Sequence, residues 1–143
     1  AFGEALRPDF TIYAKSIVSN AKEMAEQLKT KGFELVSGGT DTHVILIDLT
    51  KKNISGKIAE IALGKAGITV NKNMVPFDKR SPFVTSGIRI GTPAITTRGM
   101  GKEEMKLITH LIDKTINNIE NDKTLSDIKE EVSNLCSIFP IYK

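Results

Sequence analysis

Ser86-Gly87-Ile88-Arg89-Ile90-Gly91-Thr92-Pro93-Ala94 reads as a short strand that runs directly into a helix. Side chains alternate along a strand, so Ile88 and Ile90 share one face and Arg89 takes the other. Thr92 is suited to cap the helix, and Pro93 to its first turn, where a missing N–H loses no hydrogen bond. Gly87 and Gly91 are expected to leave clearance on both sides of Arg89, whose guanidinium then presents a planar fork of donors. Two roles fit such an arginine: a ligand for a carboxylate or phosphate, or an ion pair with an acid of its own domain.

Working outward, Phe10, Tyr13, Ile17, Ala21, Met24, Ala25 and Leu28 recur at three- and four-residue spacing, one face of a long helix that Lys31-Gly32 ends. Phe33 to Ser37 reads as a strand, Gly38 to Asp41 as a turn, and His43 to Leu49 as a second strand. The second strand is apolar at nearly every position, which predicts burial on both faces and a central place in the sheet. Ser55 can cap a helix bearing Ile58, Ala59, Ala62, Leu63 and Ala66, with Gly67 at its far end, and a strand from Ile68 to Val70 is expected next. From Asn71 to Thr85 the periodicity vanishes and an extended loop is expected, a length that often carries function. Past Arg89, a helix from about Lys102 shows Met105, Ile108, Ile112, Thr115, Ile116 and Ile119 on one face. Thr124 and Asp127 resemble a capping box for a last helix with Leu125, Ile128, Val132, Leu135 and Cys136 inward, stopped by Phe139-Pro140. The pattern predicts an α/β class fold, two layers, with a small sheet covered by helices.

A chain of 143 residues suffices for one domain with a real core. The one cysteine, Cys136, cannot pair within the chain, so a reducing compartment is expected, with Cys136 a small buried hydrophobe. No long apolar run or targeting pattern is visible, which predicts a soluble, cytoplasmic protein with no membrane partner. The net charge of +3 is spread among interspersed acids, and the few aromatics do not interleave with basic residues, which argues against nucleic acid as a partner.

Polar groups without an evident structural duty fall in two places. One is Arg89. The other is the loop holding Lys72, Asn73 and Ser81-Pro82-Phe83. The Asn73 amide offers donors and an acceptor that suit one edge of a heterocycle, though asparagine is also a common turn former. Pro82 restrains its neighbours, so that main-chain groups near Ser81 and the ring of Phe83 could be held out for a planar ligand. Lys79-Arg80 reads as a solvated pair. His43 and His110 lack nucleophile partners and metal-ligand spacing, so no metal site is expected. Gly38-Gly39-Thr40 lacks the lysine of a phosphate-binding loop and stays a turn.

Three runs carry a resemblance to a known family: Ser37-Gly38-Gly39-Thr40-Asp41-Thr42-His43, Gly67-Ile68-Thr69-Val70-Asn71-Lys72-Asn73, and Arg80 through Ala94. In order and spacing they closely resemble serine hydroxymethyltransferase, and weaker likeness covers the whole chain, corresponding to that enzyme's C-terminal domain. The resemblance implies the small domain of an aminotransferase-like, fold type I pyridoxal-phosphate enzyme. It implies interconversion of serine and glycine, tetrahydrofolate as co-substrate, and a homodimer as full-length protein. Arg89 falls on the arginine that binds the amino-acid carboxylate, and Asn73, Ser81, Pro82 and Phe83 on folate contacts. Arg98 matches a recurrent arginine for which a structural role is expected. Met74 and Lys79 depart from the small residue and the proline common in the folate loop.

The family's Thr-Thr-His-Lys context for the cofactor lysine is absent, as are the histidine and aspartate that meet the cofactor ring, so no catalytic residue is assigned in this chain. It is expected to be a truncated form of the enzyme, inactive alone, with residues 1–32 as a helix linking to the missing large domain and 33–143 as the small domain. Two other readings were open: another fold type I enzyme that clamps a carboxylate, such as an aminotransferase, and a binding module that meets an acidic partner through Arg80, Arg89 and Arg98.

Overall fold

The computed structural model describes residues 1–141. A short helix α1 (Phe2–Ala5) is followed by a break at Leu6-Arg7 and by α2 (Pro8–Thr30), whose proline stands at the first turn as that residue favours. Only the second half of α2 is covered: Ala21, Met24, Ala25 and Leu28 are buried, whereas Phe2, Leu6, Phe10 and Ile12 are exposed. Gly32, at φ +76°, takes the left-handed turn that ends α2.

β1 (Glu34–Leu35) is shorter than the expected strand, because Val36–Gly38 coil into a 3-10 turn. β2 (Val44–Asp48) follows, then α3 (Gly56–Lys65), whose start is capped as expected by the Ser55 Oγ accepting from the Ile58 N–H at 3.2 Å. β3 is Asn71–Asn73, not Ile68–Val70, so the expected loop begins only after Asn73. β4 (Gly87–Gly91) leads into α4 (Pro93–Thr97), followed by α5 (Lys102–Ile116) and α6 (Asp122–Ile138). The start of α6 is capped by Asn121, whose side chain accepts from the Thr124 N–H at 3.1 Å, in place of the expected Thr124–Asp127 box.

The strands form one antiparallel sheet in the order β1-β2-β4-β3. β2 is central, as its composition predicts, but its burial alternates. Ile45 and Ile47 are fully buried, and Val44, Leu46 and Asp48 are half-buried. Ile88 and Ile90 of β4 join Ile45 and Ile47 on the covered face, where they meet Met24 and Leu28 of α2, Leu63 of α3, and Met105, Ile112 and Ile116 of α5. A satellite cluster of Ala66, Leu111 and Ile128 seats α6. The two-layer α/β arrangement is therefore present, with all the helices of the core on one side of the sheet.

Two details of the opening stretch differ from expectation. The Thr92 hydroxyl does not cap α4; it is wholly buried and donates to the Ile17 carbonyl at 2.8 Å, stitching the end of β4 to α2. Gly87 is not a clearance for Arg89 either. A Cβ there would lie 2.6 Å from the Ile47 carbonyl oxygen and 2.7 Å from Val75 Cγ1, so the glycine is required by the close approach of its neighbours.

Candidate functional site

The register places the candidate residues. Arg89 stands opposite Leu46 of β2 and Asn71 of β3, while Asn73 stands opposite Gly87. Directly paired residues share a face, so Arg89, Asn71 and Asn73 lie together on the side of the sheet away from the helices, with Val44 and Leu46 beside them. Diagonal neighbours on one face are about 7–8 Å apart, within reach of one ligand bridging Asn73 and Arg89. Lys72 alternates to the other face. Its N–H donates to Glu60 Oε1 at 2.9 Å and its Nζ lies 3.6 Å from Glu60 Oε2, so it ties β3 to α3 and does not join the site.

Arg89 is exposed, and among the described residues no carboxylate lies within ion-pair distance of its guanidinium. The acid nearest along the same face of β2, Asp48, accepts instead from the Thr50 N–H at 2.8 Å. Among the described residues the role of an ion pair within the domain is therefore not filled. An open depression lined by His43, Val44, Asn71, Arg89 and Gly91 lies beside the guanidinium. The Asn73 amide gives one donor to the Met74 carbonyl at 2.7 Å, leaving its oxygen and second N–H available.

Ser81, Pro82 and Phe83 form an exposed turn closed by the Ser81 carbonyl, which accepts from the N–H groups of Val84 and Thr85, both at 2.9 Å. The Phe83 ring is 82% exposed, so its face is free to meet a planar partner. Among the described residues no hydrogen bond joins this turn's side chains directly to Arg89 or Asn73. Arg80 is not a solvated partner of Lys79: its Nη1 donates to the Ile54 carbonyl at 2.8 Å, pinning the loop to the start of α3.

The residue that organises this loop is Asp78, which the sequence marks only as part of the extended stretch from Asn71 to Thr85. Its Oδ1 accepts from the Arg80 N–H at 2.9 Å and the Ser86 hydroxyl at 2.6 Å, and its Oδ2 from the N–H groups of Val75 at 3.2 Å and Ser86 at 2.8 Å. Burial pushes this carboxyl upward, but the Ser86 hydroxyl and the N–H groups of Arg80, Ser86 and Val75 outweigh it and hold it down at about 2. The sequence signal was partial, since an aspartate accepting from the N–H two residues on is a local turn motif, but the Ser86 bonds cross eight residues.

Away from the open face, Arg98 Nη1 donates to the Phe139 carbonyl at 2.8 Å, closing the end of α6, in keeping with a structural role. Cys136 is half-buried, lining an apolar cavity of about 300 Å³ with Arg98 and Leu135, because α6 is fully buried only at Leu125 and Ile128 of its first half. His43 and His110 are both exposed. Among the described residues no group of three His, Cys, Asp or Glu side chains could hold a metal ion, and no helix is long and apolar enough to cross a membrane.

Comparison with known proteins bears directly on this arrangement. Residues 1–112, which include the whole sheet and every candidate residue, match the family model described as serine hydroxymethyltransferase. The chain belongs to the serine hydroxymethyltransferase family. Serine hydroxymethyltransferases of Coxiella burnetii, from strains CbuK_Q154 and RSA 493 / Nine Mile phase I, are each 53% identical to it over 143 residues, which is 100% of this chain and 34% of theirs. The chain thus spans about a third of the length of these curated relatives. The fold agrees with the C-terminal small domain of fold type I enzymes, with its antiparallel sheet and one-sided helices.

The residues present do not make a complete pyridoxal-phosphate site. A Schiff-base lysine needs a secluded, uncommitted amine. Lys52, the most sheltered ion-paired lysine among the described residues, is engaged with the Lys31 carbonyl at 3.4 Å and Asp113 at 3.5 Å, and its Nζ sits 4.3 Å from the centre of the Phe33 ring. The depression at Arg89 is open, with no lysine lining it.

Proposed function

We propose that this chain is the substrate-facing C-terminal part of a glycine hydroxymethyltransferase that converts serine and tetrahydrofolate reversibly to glycine and 5,10-methylenetetrahydrofolate. The observation that carries the reading is an arginine with no acid partner among the described residues, held by strands on both sides, on the face of the sheet opposite the helices. Its fork matches a carboxylate in two parallel hydrogen bonds, which fixes position and orientation together. Asn73 lies on the same face and Ser81-Pro82-Phe83 at the end of the loop that leaves it; we assign them to the folate, with the amide on a heterocycle edge and the Phe83 ring against a planar surface.

The electron-sink chemistry belongs to pyridoxal phosphate, which in this reading is held by parts of the enzyme outside this chain. What this chain contributes is position. A carboxylate gripped by Arg89 cannot rotate away, and orientation of this kind can supply several powers of ten in rate. The uncovered apolar side chains of Phe2, Leu6, Phe10 and Ile12 support residues 1–32 as the link toward the large domain, with 33–143 as the small domain. The family resemblance further supports a cytoplasmic homodimer as the full-length form, and inactivity of the isolated chain.

The test is Arg89→Lys in the intact enzyme. Lysine keeps the charge and loses the fork, and removing one partner of a hydrogen-bonded charge pair costs roughly 2–5 kcal/mol, so serine affinity is expected to fall about a hundredfold. Serine affinity within threefold of wild type overturns the assignment. Serine turnover that ignores tetrahydrofolate would instead favour a carboxylate-clamping enzyme of another activity.

A further inference from the structure

Asp78 joins three separated points of the chain: Val75 at the start of the loop, Arg80 in its middle and Ser86 at its return to β4. Between these points the backbone takes left-handed conformations at two non-glycine residues, Phe77 (φ 59°) and Thr85 (φ 56°). A buried β-branched residue such as Thr85 enters that region only when its surroundings over-determine it. The surroundings here are the Thr85 hydroxyl donating to the Gly87 carbonyl at 3.1 Å, the Gly56 N–H donating to the Thr85 carbonyl at 3.1 Å, and the Asp78 carboxylate on the next residue.

We propose that Asp78 is a positioning residue for the folate side of the site, acting through the loop it ties together and not by touching substrate. The inference rests on the functional reading above. β4 and Arg89 do not depend on Asp78, because ladders to β2 and β3 hold that strand on both sides. Ser81-Pro82-Phe83, by contrast, lies within the tied segment, and Asn73, paired with Gly87 at the end of its ladder, precedes that segment by two residues. The carboxylate therefore governs one substrate's contacts and leaves the other's alone.

Asparagine at 78 exposes this division. Each carboxylate oxygen accepts two hydrogen bonds: an amide NH₂ in place of Oδ1 faces the Arg80 N–H and the Ser86 hydroxyl, which can turn to accept, and in place of Oδ2 it faces the N–H groups of Val75 and Ser86. Asp78→Asn thus loses at least one backbone bond, together with the negative charge, while keeping the volume. In the intact enzyme the KM for tetrahydrofolate is expected to rise about tenfold, the equivalent of 1.4 kcal/mol, with the KM for serine within twofold of wild type. Ser86→Ala removes only the hydroxyl bond, leaving three backbone donors, and is expected to raise the folate KM roughly two- to threefold.

A second readout is independent of activity. In the intact protein without cofactor, amide exchange at Val75, Arg80 and Ser86 should quicken about tenfold in Asp78→Asn while β2 is unchanged. Both KM values rising together, or an unchanged folate KM, overturns the positioning role. Unchanged exchange at the three amides also overturns it and leaves the functional reading standing. A wild-type enzyme indifferent to tetrahydrofolate overturns the functional reading, and the folate role of Asp78 with it, even where exchange quickens.

Discussion

The two faces of one four-stranded sheet are built to different rules. On the covered face Ile45, Ile47, Ile88 and Ile90 meet three helices and are buried to 9% exposure or less. On the other face Val44 and Leu46 are only half-buried, and Arg89 and Asn71 are exposed. Alternation at a period of two lets a single strand serve both, so Ile88 and Ile90 anchor β4 while Arg89 between them faces away. Burial thus fixes the strand in register, and the register aims the arginine: the covered face supplies stability, and the open one presents Arg89.

The largest test of that contrast is a neighbouring pair on β2. Ile47→Ala in this chain should cost about 2–5 kcal/mol in denaturant unfolding, the usual loss for a large aliphatic side chain in a packed core. Leu46→Ala should cost about 1 kcal/mol, since half-burial leaves less surface to re-expose. Equal costs would break the contrast; a Leu46→Ala cost that grows in the intact enzyme would sharpen it, by showing that the open face is covered there.

A smaller effect separates the strand from the loop beside it. Because the folded Asp78 carboxyl titrates near 2, below its ordinary value of 3.8, the stability it confers is fully present above about pH 4 and is lost as pH falls toward 2. Acid unfolding of wild type and Asp78→Asn should therefore diverge above pH 4 and converge near pH 2. A gap that persists unchanged to pH 2 would assign the stabilisation to some other feature of the site. The smallest effect lies on the covered side: Ser55→Ala removes the cap of α3 and should lower stability by about 1 kcal/mol, with serine affinity unaltered.

What could be read in advance follows from range. Arg89's outward aim, the central place of β2, the Ser55 cap and the glycine ends of α2 and α3 depend on neighbours a few residues away, and all are present. β3 was misplaced because its signal is inverted. Apolar Ile68 and Val70 sink into the core beside α5 and α6, while polar Asn71-Lys72-Asn73 makes the edge pairing, a place where water and Glu60 satisfy what a buried strand could not. Thr92 was expected to cap locally, but the Ile17 carbonyl 75 residues away claims its hydroxyl. Asp78 was legible only as a residue of the extended loop, because two of its four bonds depend on where Ser86 returns. The identities of the folate candidates came from family resemblance, since nothing in their spacing specifies a pterin.

The open face is claimed as the place where the substrate carboxylate sits, and the direct measurement is protection of Arg89 in the intact enzyme from an arginine-selective dicarbonyl reagent, read by peptide mass with and without serine. Arg80 and Arg98, each tied to a main-chain carbonyl, serve as internal controls. Saturating serine is expected to slow modification of Arg89 at least about tenfold, the occupancy effect of a bound carboxylate, while Arg80 and Arg98 react as before. Arg89 reacting equally fast with and without serine would contradict it.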